Sequence, residues 1–403
     1  MAKAKKVTRK VSTTKRNSSL KSTPKWLDWK VLTPTLLIFA LIGGYYVYSS
    51  FAATVPPVFI SANVSGITSV NTDGSAKKSF PNPKDYYYGH RLKLSRDKLQ
   101  LASNERNGLV IYNPTTGAVK KRIACSNGKA CGEVVGWLPG DRSLVYDTDT
   151  QIRRINIDGT GDKILANKAT SGGSLKCASV QRTGSKIAYT EALYRQNYLG
   201  NRIIVMDADG SNKKIVKQVP GQEKLGCPNW SNDGAKIAYM HSVHEYKHYA
   251  TALNIVGVNG GSSTFVADLF RSSNANDWDS DDHSWSQSAA ENIYSGRIWS
   301  NGNSTLLFPK SVKGVVNLYQ INLANKKVTP VTSNKDKNTD LQHYGFALDN
   351  RIVYAAELNS SKGKGNVDTK NYSFSLRSVR ADGKAHRLLM QSAKKDYFNG
   401  LEL

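Results

Sequence analysis

Negative charge is scarce in this chain. Its 403 residues hold 31 aspartates and glutamates against 56 lysines and arginines, a formal net charge of +25. That balance favours anionic surfaces or polymers over acidic partners. Cysteine is limited to Cys125, Cys131, Cys177 and Cys227, none in C-x-x-C spacing, which argues against a cysteine-built zinc site. No G-x-S-x-G pentapeptide occurs, so the nucleophile turn of an α/β-hydrolase is missing. No repeated unit carries apolar residues at i, i+3, i+4 and i+7 over two turns, which excludes a helical solenoid. Apolar residues make up 39%, too few for a multi-span membrane protein and too many for a disordered chain.

Charge is absent altogether from Val31 to Thr72. Within that stretch, residues 31–52 are about as long as a helix needs to cross a bilayer, roughly 20 residues. Trp26 and Trp29 stand at its start and Tyr45, Tyr46 and Tyr48 near its end, the aromatic pair expected at two membrane interfaces. Residues 1–30 form a basic head with ten Lys/Arg and one acid, Asp28. Such a head stays in the cytoplasm, so residues 53–57 act as a linker and 58–403 face outward. The alternative is a signal peptide cleaved near Ala52, after Ser50-Phe51-Ala52, and both readings export the folded part. The head's topology role accounts for its charge, and no nucleic acid is expected for the exported part. That part carries the remaining +16.

The exported part repeats. Sliding Cys227–Gly260 back by 50 residues without a gap puts Cys227 on Cys177, Gly234 on Gly184, Lys236–Tyr239 on Lys186–Tyr189 and Gly260 on Gly210. Units open with an apolar or aromatic residue, a polar turn, and a strand ending in Tyr or Phe. Trp137 begins WLPGDRSLVY, Val180 VQRTGSKIAY, Trp230 WSNDGAKIAY and Trp299 WSNGNSTLLF, with weaker copies at Leu92 and Phe346. A second mark closes each unit, as in RRINIDGTGDKIL from Arg153 and LRSVRADGKAHRLL from Leu376. Turn residues between β-branched and aromatic runs give four short strands per unit, the number in a propeller blade. Residues 58–80 read as a unit without its opening strand, and 397–403 as an opening strand alone. Joined, they close a ring and remove its exposed edges. The expectation is an all-β, seven-bladed propeller, with six blades as the alternative.

The WSNDGAKIAY and IIVMDADGSNKKIV patterns resemble the repeat of TolB-type β-propellers, over roughly residues 58–403. The resemblance implies the propeller fold. The α/β domain that precedes a TolB propeller has no room between Ala53 and Leu92.

Two motifs point to metals. His244-Glu245-Tyr246-Lys247-His248 is an H-E-x-x-H, which on a helix holds zinc between two imidazoles. Yet it aligns with Tyr194–Tyr198, the connection between a blade's second and third strands, where surface histidines are expected. Asp277, Asp279 and Asp281 alternate like the first half of a calcium loop, but Asp282 and Ser288 replace its glycine and final glutamate. The expectation is therefore no cofactor, with Ca2+ or Zn2+ as alternatives.

The four cysteines allow three pairings. The short loop favours Cys125 with Cys131, leaving Cys177 and Cys227 at equivalent places in neighbouring blades. A partner is expected on the face formed by second-to-third connections and links between blades. Its aromatic and histidine candidates are Tyr87, Tyr88, His90, Tyr194, Tyr198, His244, Tyr246, His248, Trp278, His283, Trp285 and Tyr344. The function expected is a membrane-anchored binding scaffold for an envelope protein or an anionic wall or surface polymer. The alternative is a metal-dependent hydrolase or glycan-active enzyme.

Overall fold

The computed structural model describes residues 55–62, 66–80, 91–105, 108–125, 131–148, 150–168, 173–193, 200–220, 223–245, 248–272, 297–312, 315–336, 339–359, 372–392 and 398–403. They are strands and turns in seven sheets, which makes this a seven-bladed β-propeller. No helix among the described residues is long and apolar enough to cross a membrane. Residues 31–52 lie outside the described set.

Blade 1 contains β1 (Pro57–Ala62), β2 (Gly66–Asn71) and β3 (Lys78–Ser79). Blade 2 is β4 (Leu92–Leu94), β5 (Leu101–Glu105), β6 (Gly108–Tyr112) and β7 (Val119–Ile123). Blade 3 is β8 (Val134–Trp137), β9 (Ser143–Thr148), β10 (Gln151–Asn156) and β11 (Lys163–Asn167). Blade 4 is β12 (Ser174–Val180), β13 (Lys186–Leu193), β14 (Gly200–Asp207) and β15 (Lys214–Val219). In blade 5 the inner strand is split by Pro228 into β16 (Lys224–Leu225) and β17 (Asn229–Trp230). β18 (Lys236–Glu245), β19 (His248–Gly257) and β20 (Thr264–Ser272) follow. Blade 6 has three strands, β21 (Thr305–Val312), β22 (Val315–Asn322) and β23 (Val328–Pro330), with one inner bridge, Trp299 to Leu306. Blade 7 is β24 (Thr339–Phe346), β25 (Ile352–Asn359), β26 (Tyr372–Val379) and β27 (Arg387–Gln391).

The last strand, β28 (Phe398–Glu402), then returns to blade 1. It pairs antiparallel with β1, Phe59 opposite Glu402, Ile60 opposite Leu401 and Ser61 opposite Gly400. Both ends of the repeat array thus share one sheet, and β28 covers the edge that β1 would otherwise leave open.

Several middle strands are buried on both faces because blades stack face to face. β5, β6 and most of β13 show no polar-out alternation. Outer strands break the rule differently. Ile164 and Leu165 are adjacent and both apolar, yet one is exposed and the other buried. A register shift explains it: Arg153 faces Ile164 and Ile152 faces Ala166, leaving Leu165 as an extra residue turned inward. Ile215-Val216, Phe265-Val266 and Leu388-Leu389 repeat the arrangement. A bulge on an outer strand twists it and discourages pairing with another chain.

The opening tryptophans join blades. Trp137 Nε1 donates to the Lys93 carbonyl at 2.8 Å, Trp230 Nε1 to Ser179 at 3.2 Å and Trp299 Nε1 to Asn229 at 3.1 Å. On the face of the first-to-second turns, polar contacts also pass between blades. Arg96 donates to the carbonyls of Trp137, Leu138 and Arg182 at 2.6–2.8 Å. Asn232 reaches Ser300 and Asn301 reaches Leu348, each at 2.8 Å. Glu402 accepts from the Leu94 amide at 3.1 Å. The repeated glycine of these turns serves this traffic. Gly184 has φ +77°, and a Cβ there would lie 1.9 Å from the Arg96 guanidinium.

Candidate functional site

Most of the loop-face candidates named from the sequence lie outside the described residues: Tyr87, Tyr88, His90, Tyr194, Tyr198, Tyr246, Trp278, His283 and Trp285, with Asp277, Asp279 and Asp281. His244 and Glu245 end β18 and His248 opens β19, with His244 opposite Tyr249 and Glu245 opposite His248. These are paired strands, so the helical geometry of a zinc-binding H-E-x-x-H is absent from their backbone. Tyr344 lies in β24 and is 4% exposed, which puts its ring in the core rather than on an open surface. Among the described residues, no group of three or more His, Cys, Asp or Glu is placed to hold a metal.

Cys125 and Cys131 are disulfide-bonded, Cα atoms 5.6 Å apart. Cys177 and Cys227 are bonded as well, at 5.0 Å, although they belong to neighbouring blades. That distance lies within the roughly 7 Å limit for a bridge, which the blade spacing alone left open. Cys177 sits at the β12 irregularity between Lys176 and Ser179, with φ +56°, where the strand leaves its regular path.

Titratable groups gather where blades 2, 3 and 7 come together: Arg91 just before β4, Glu133 just before β8, Asp147 in β9 and His343 in β24. Arg91 pairs with Glu133 at 2.6 Å. Burial pushes the Asp147 carboxyl up to about 7; the Arg91 charge opposes this and Glu133 reinforces it. Burial, then the Arg91 charge, pushes His343 down to about 4, so its imidazole is neutral at pH 7. This ring lies 4.9 Å from that of Phe398. The cluster mixes one cation, a neutral imidazole and carboxyls, and its protonation changes near neutrality through Asp147.

A cleft of about 520 Å3 opens between blades 6 and 7. β23 is short: it ends at Pro330, which has no N–H to continue the ladder. Its brevity leaves the neighbouring face of blade 7 uncovered. The link from Thr332 to Thr339 forms one wall, fixed by Asn317 and Asn334. The Asn334 amide donates to Asn317 Oδ1 at 2.6 Å, and Thr332 Oγ1 donates to the same oxygen at 2.8 Å. The other wall comes from β25 and β26, where Tyr354 faces Arg377 and Ala356 faces Ser375. Hydroxyl and amide groups dominate the lining, with Arg377 and His386 added from blade 7 and Asp336 from the link.

Exposed cations stand both on turns, as at Lys98, Lys213, Lys326, Lys327 and Lys384, and on outer strands. Lys120, Lys121 and Arg122 in β7, Lys163 in β11, Lys214 in β15 and Arg387 in β27 are exposed. Carboxylates of the turns are engaged locally instead. Hydrogen bonds from the hydroxyls of Ser75, Thr160, Ser211 and Ser231 hold Asp73, Asp158, Asp209 and Asp233 below the usual carboxylate range.

No family model matches the chain, and no curated protein matches it in sequence. Among solved structures it is similar to an oligogalacturonate lyase from Vibrio parahaemolyticus (TM-score 0.52, 12% identity), covering 84% of this chain and 87% of that one. It is also similar to an oligogalacturonate lyase in complex with manganese (TM-score 0.51, 11% identity, 72% and 78% covered). Putative TolB from Agrobacterium tumefaciens matches at a TM-score of 0.43 and 11% identity, over 71% of this chain and 92% of that one. At such identities these likenesses concern the fold, which many functions share. The chain is a seven-bladed β-propeller.

Proposed function

We propose that this protein is an exported, membrane-anchored propeller that binds an anionic surface polymer as a scaffold, without catalysis. The observation that carries the reading is the exposure of its excess cations, on turns and outer strands alike, around a ring in which β28 pairs with β1. Lysine on outer strands also blocks edge-to-edge pairing, and the two roles are compatible. The two disulfides fit an oxidising, exported location. The basic head and residues 31–52 supply the anchor in this reading, and an envelope protein is the other partner class.

The test is co-sedimentation of the full chain with polygalacturonate, with a polyol-phosphate polymer and with an uncharged glucan. Binding to an anionic polymer but not to the glucan supports the reading; equal binding to all three, or to none, overturns it. Vesicle flotation tests the anchor, and a mature N-terminus just after Ala52 would replace anchoring by secretion.

A second reading, an enzyme acting on an acidic glycan, draws on the names of the two lyases. Release of unsaturated or shortened oligogalacturonate by the purified chain, with or without added manganese, would promote it over the scaffold. The metal-dependent hydrolase version, with Ca2+ or Zn2+, is tested by metal analysis of the same preparation.

A further inference from the structure

Arg153 in blade 3 and Arg377 in blade 7 occupy the same place in the repeat. Arg153 stands opposite Tyr146 on one side and Ile164 on the other. Arg377 stands opposite Tyr354 and Leu388 in the same way. Two residues before Ile164 is Asp162; two residues before Leu388 is His386. The repeat thus supplies its own control.

In blade 3 the constellation is closed. Arg153 Nε lies 3.0 Å from Asp162 Oδ1 and donates to the Tyr146 hydroxyl at 3.0 Å, and that hydroxyl donates to the Asp162 carboxylate at 3.0 Å. The guanidinium charge is fully answered within the sheet. In blade 7 the carboxylate is replaced. His386 Nδ1 stands 3.5 Å from the Tyr354 hydroxyl, and Arg377 Nε donates to Ser375 Oγ at 3.1 Å. Among the described residues no carboxylate forms an ion pair with Arg377, and its side chain is exposed. Tyr354, Ser375, Arg377 and His386 all line the 520 Å3 cleft.

An uncompensated guanidinium at the wall of a hydroxyl-lined cleft is suited to a planar or tetrahedral oxyanion, because its fork of donors matches carboxylate and phosphate geometry. The volume lies within the range of roughly 300–1,000 Å3 typical of small-ligand sites. We propose that Arg377, with His386 and Ser375 beside it, forms an oxyanion subsite that takes the carboxylate or phosphate group of one unit of an anionic polymer. The link to a polymer rests on the function proposed above; the subsite itself does not. The cleft's carboxylate, Asp336, comes from the opposite link and accepts from Thr339 Oγ1 at 3.0 Å, so the anion's partners lie on the blade 7 wall.

The experiment titrates the full chain with galacturonate and, separately, with inorganic phosphate, by calorimetry or by chemical shifts of the arginine side chains. The variants are Arg377→Gln and His386→Asp. The second restores the acid that blade 3 carries, so it should pair with Arg377 and shut the subsite while keeping the fold. Lys384→Gln removes one charge from the same turn outside the cleft. Affinity should fall about tenfold to a hundredfold in the two cleft variants and stay unchanged in the lysine variant. Binding of galacturonate alone assigns a sugar acid, and phosphate alone a phosphate polymer. No binding of either anion, or equal losses in all three variants, or none in His386→Asp, overturns the subsite. Arg377-dependent binding of the free anions, with no polymer retained by the full chain, would leave the subsite standing and remove the polymer function.

Discussion

The indole N–H of Trp299 points across a blade boundary, 3.1 Å from the carbonyl of Asn229 in the blade before it. Trp299 is 1% exposed, and the bond satisfies a carbonyl on a split inner strand. Replacing Trp299 with Phe removes the donor and should lower stability by about 1–2 kcal/mol, and Ala should cost about 3–5 kcal/mol. Denaturant unfolding measures both. An unchanged midpoint in Trp299→Phe would show that the indole bond contributes nothing to blade docking.

Removing residues 398–403 takes away β28, including buried Phe398 and Leu401. The bared β1 edge becomes a template for another chain. The shortened protein should associate with rising concentration and lose its single cooperative unfolding step. A monomer with the midpoint of the full chain would contradict closure by these strands.

The bridge between Cys177 and Cys227 spans 50 residues. By the loop-entropy relation its removal, as Cys177→Ser with Cys227→Ser, should cost about 4 kcal/mol, against about 2 for the Cys125–Cys131 loop. Unfolding of each double variant under matched conditions compares the two. Equal losses would remove the argument from loop length.

Asp147 and His343 act oppositely on the pH dependence of stability. Asp147 titrates near 7 when folded and near 3.8 otherwise, so the folded chain holds the extra proton and stability falls as pH rises from about 4 to about 7. His343 titrates near 4 when folded and near 6.5 otherwise, so stability rises with pH over about 4 to 6.5. Asp147→Asn should therefore leave a profile that rises with pH, and His343→Gln one that falls. Two variants with the wild-type profile would contradict the burial that causes both shifts.

The blades were legible because their first turns recur in the letters, and in blades 4 and 5 the turn glycine has a physical reason. A glycine with positive φ lets a side chain from an earlier blade lie on the turn, Arg96 of blade 2 at Gly184 and Gln181 of blade 4 at Gly234. The closing strand was legible because residues 58–80 lack an opening partner and 397–403 supply one. Less was visible in the outer strands, where Ile164-Leu165 or Leu388-Leu389 breaks period-two alternation through a bulge that no single unit announces. The opening tryptophans showed as a pattern, but their hydrogen bonds reach a different blade and depend on ring geometry. Tyr344 looked like a surface aromatic beside a histidine, yet the stacking of blades buries it. Arg377 and His386 were missed altogether. Setting RRINIDGTGDKIL above LRSVRADGKAHRLL and asking where the acid of Asp162 had gone would have exposed them.

In the proposed function, exposed cations on turns and outer strands hold an anionic polymer. The most direct measurement is the affinity of the full chain for the anionic polymer it retains, taken from low to high salt. Screening shortens to about 3 Å at 1 M, so exposed charge pairs lose most of their attraction there. Affinity should fall steeply with salt, and less steeply when Lys120, Lys121 and Lys214 are changed to Gln. An affinity that holds constant across the salt range in both proteins would contradict the proposed function.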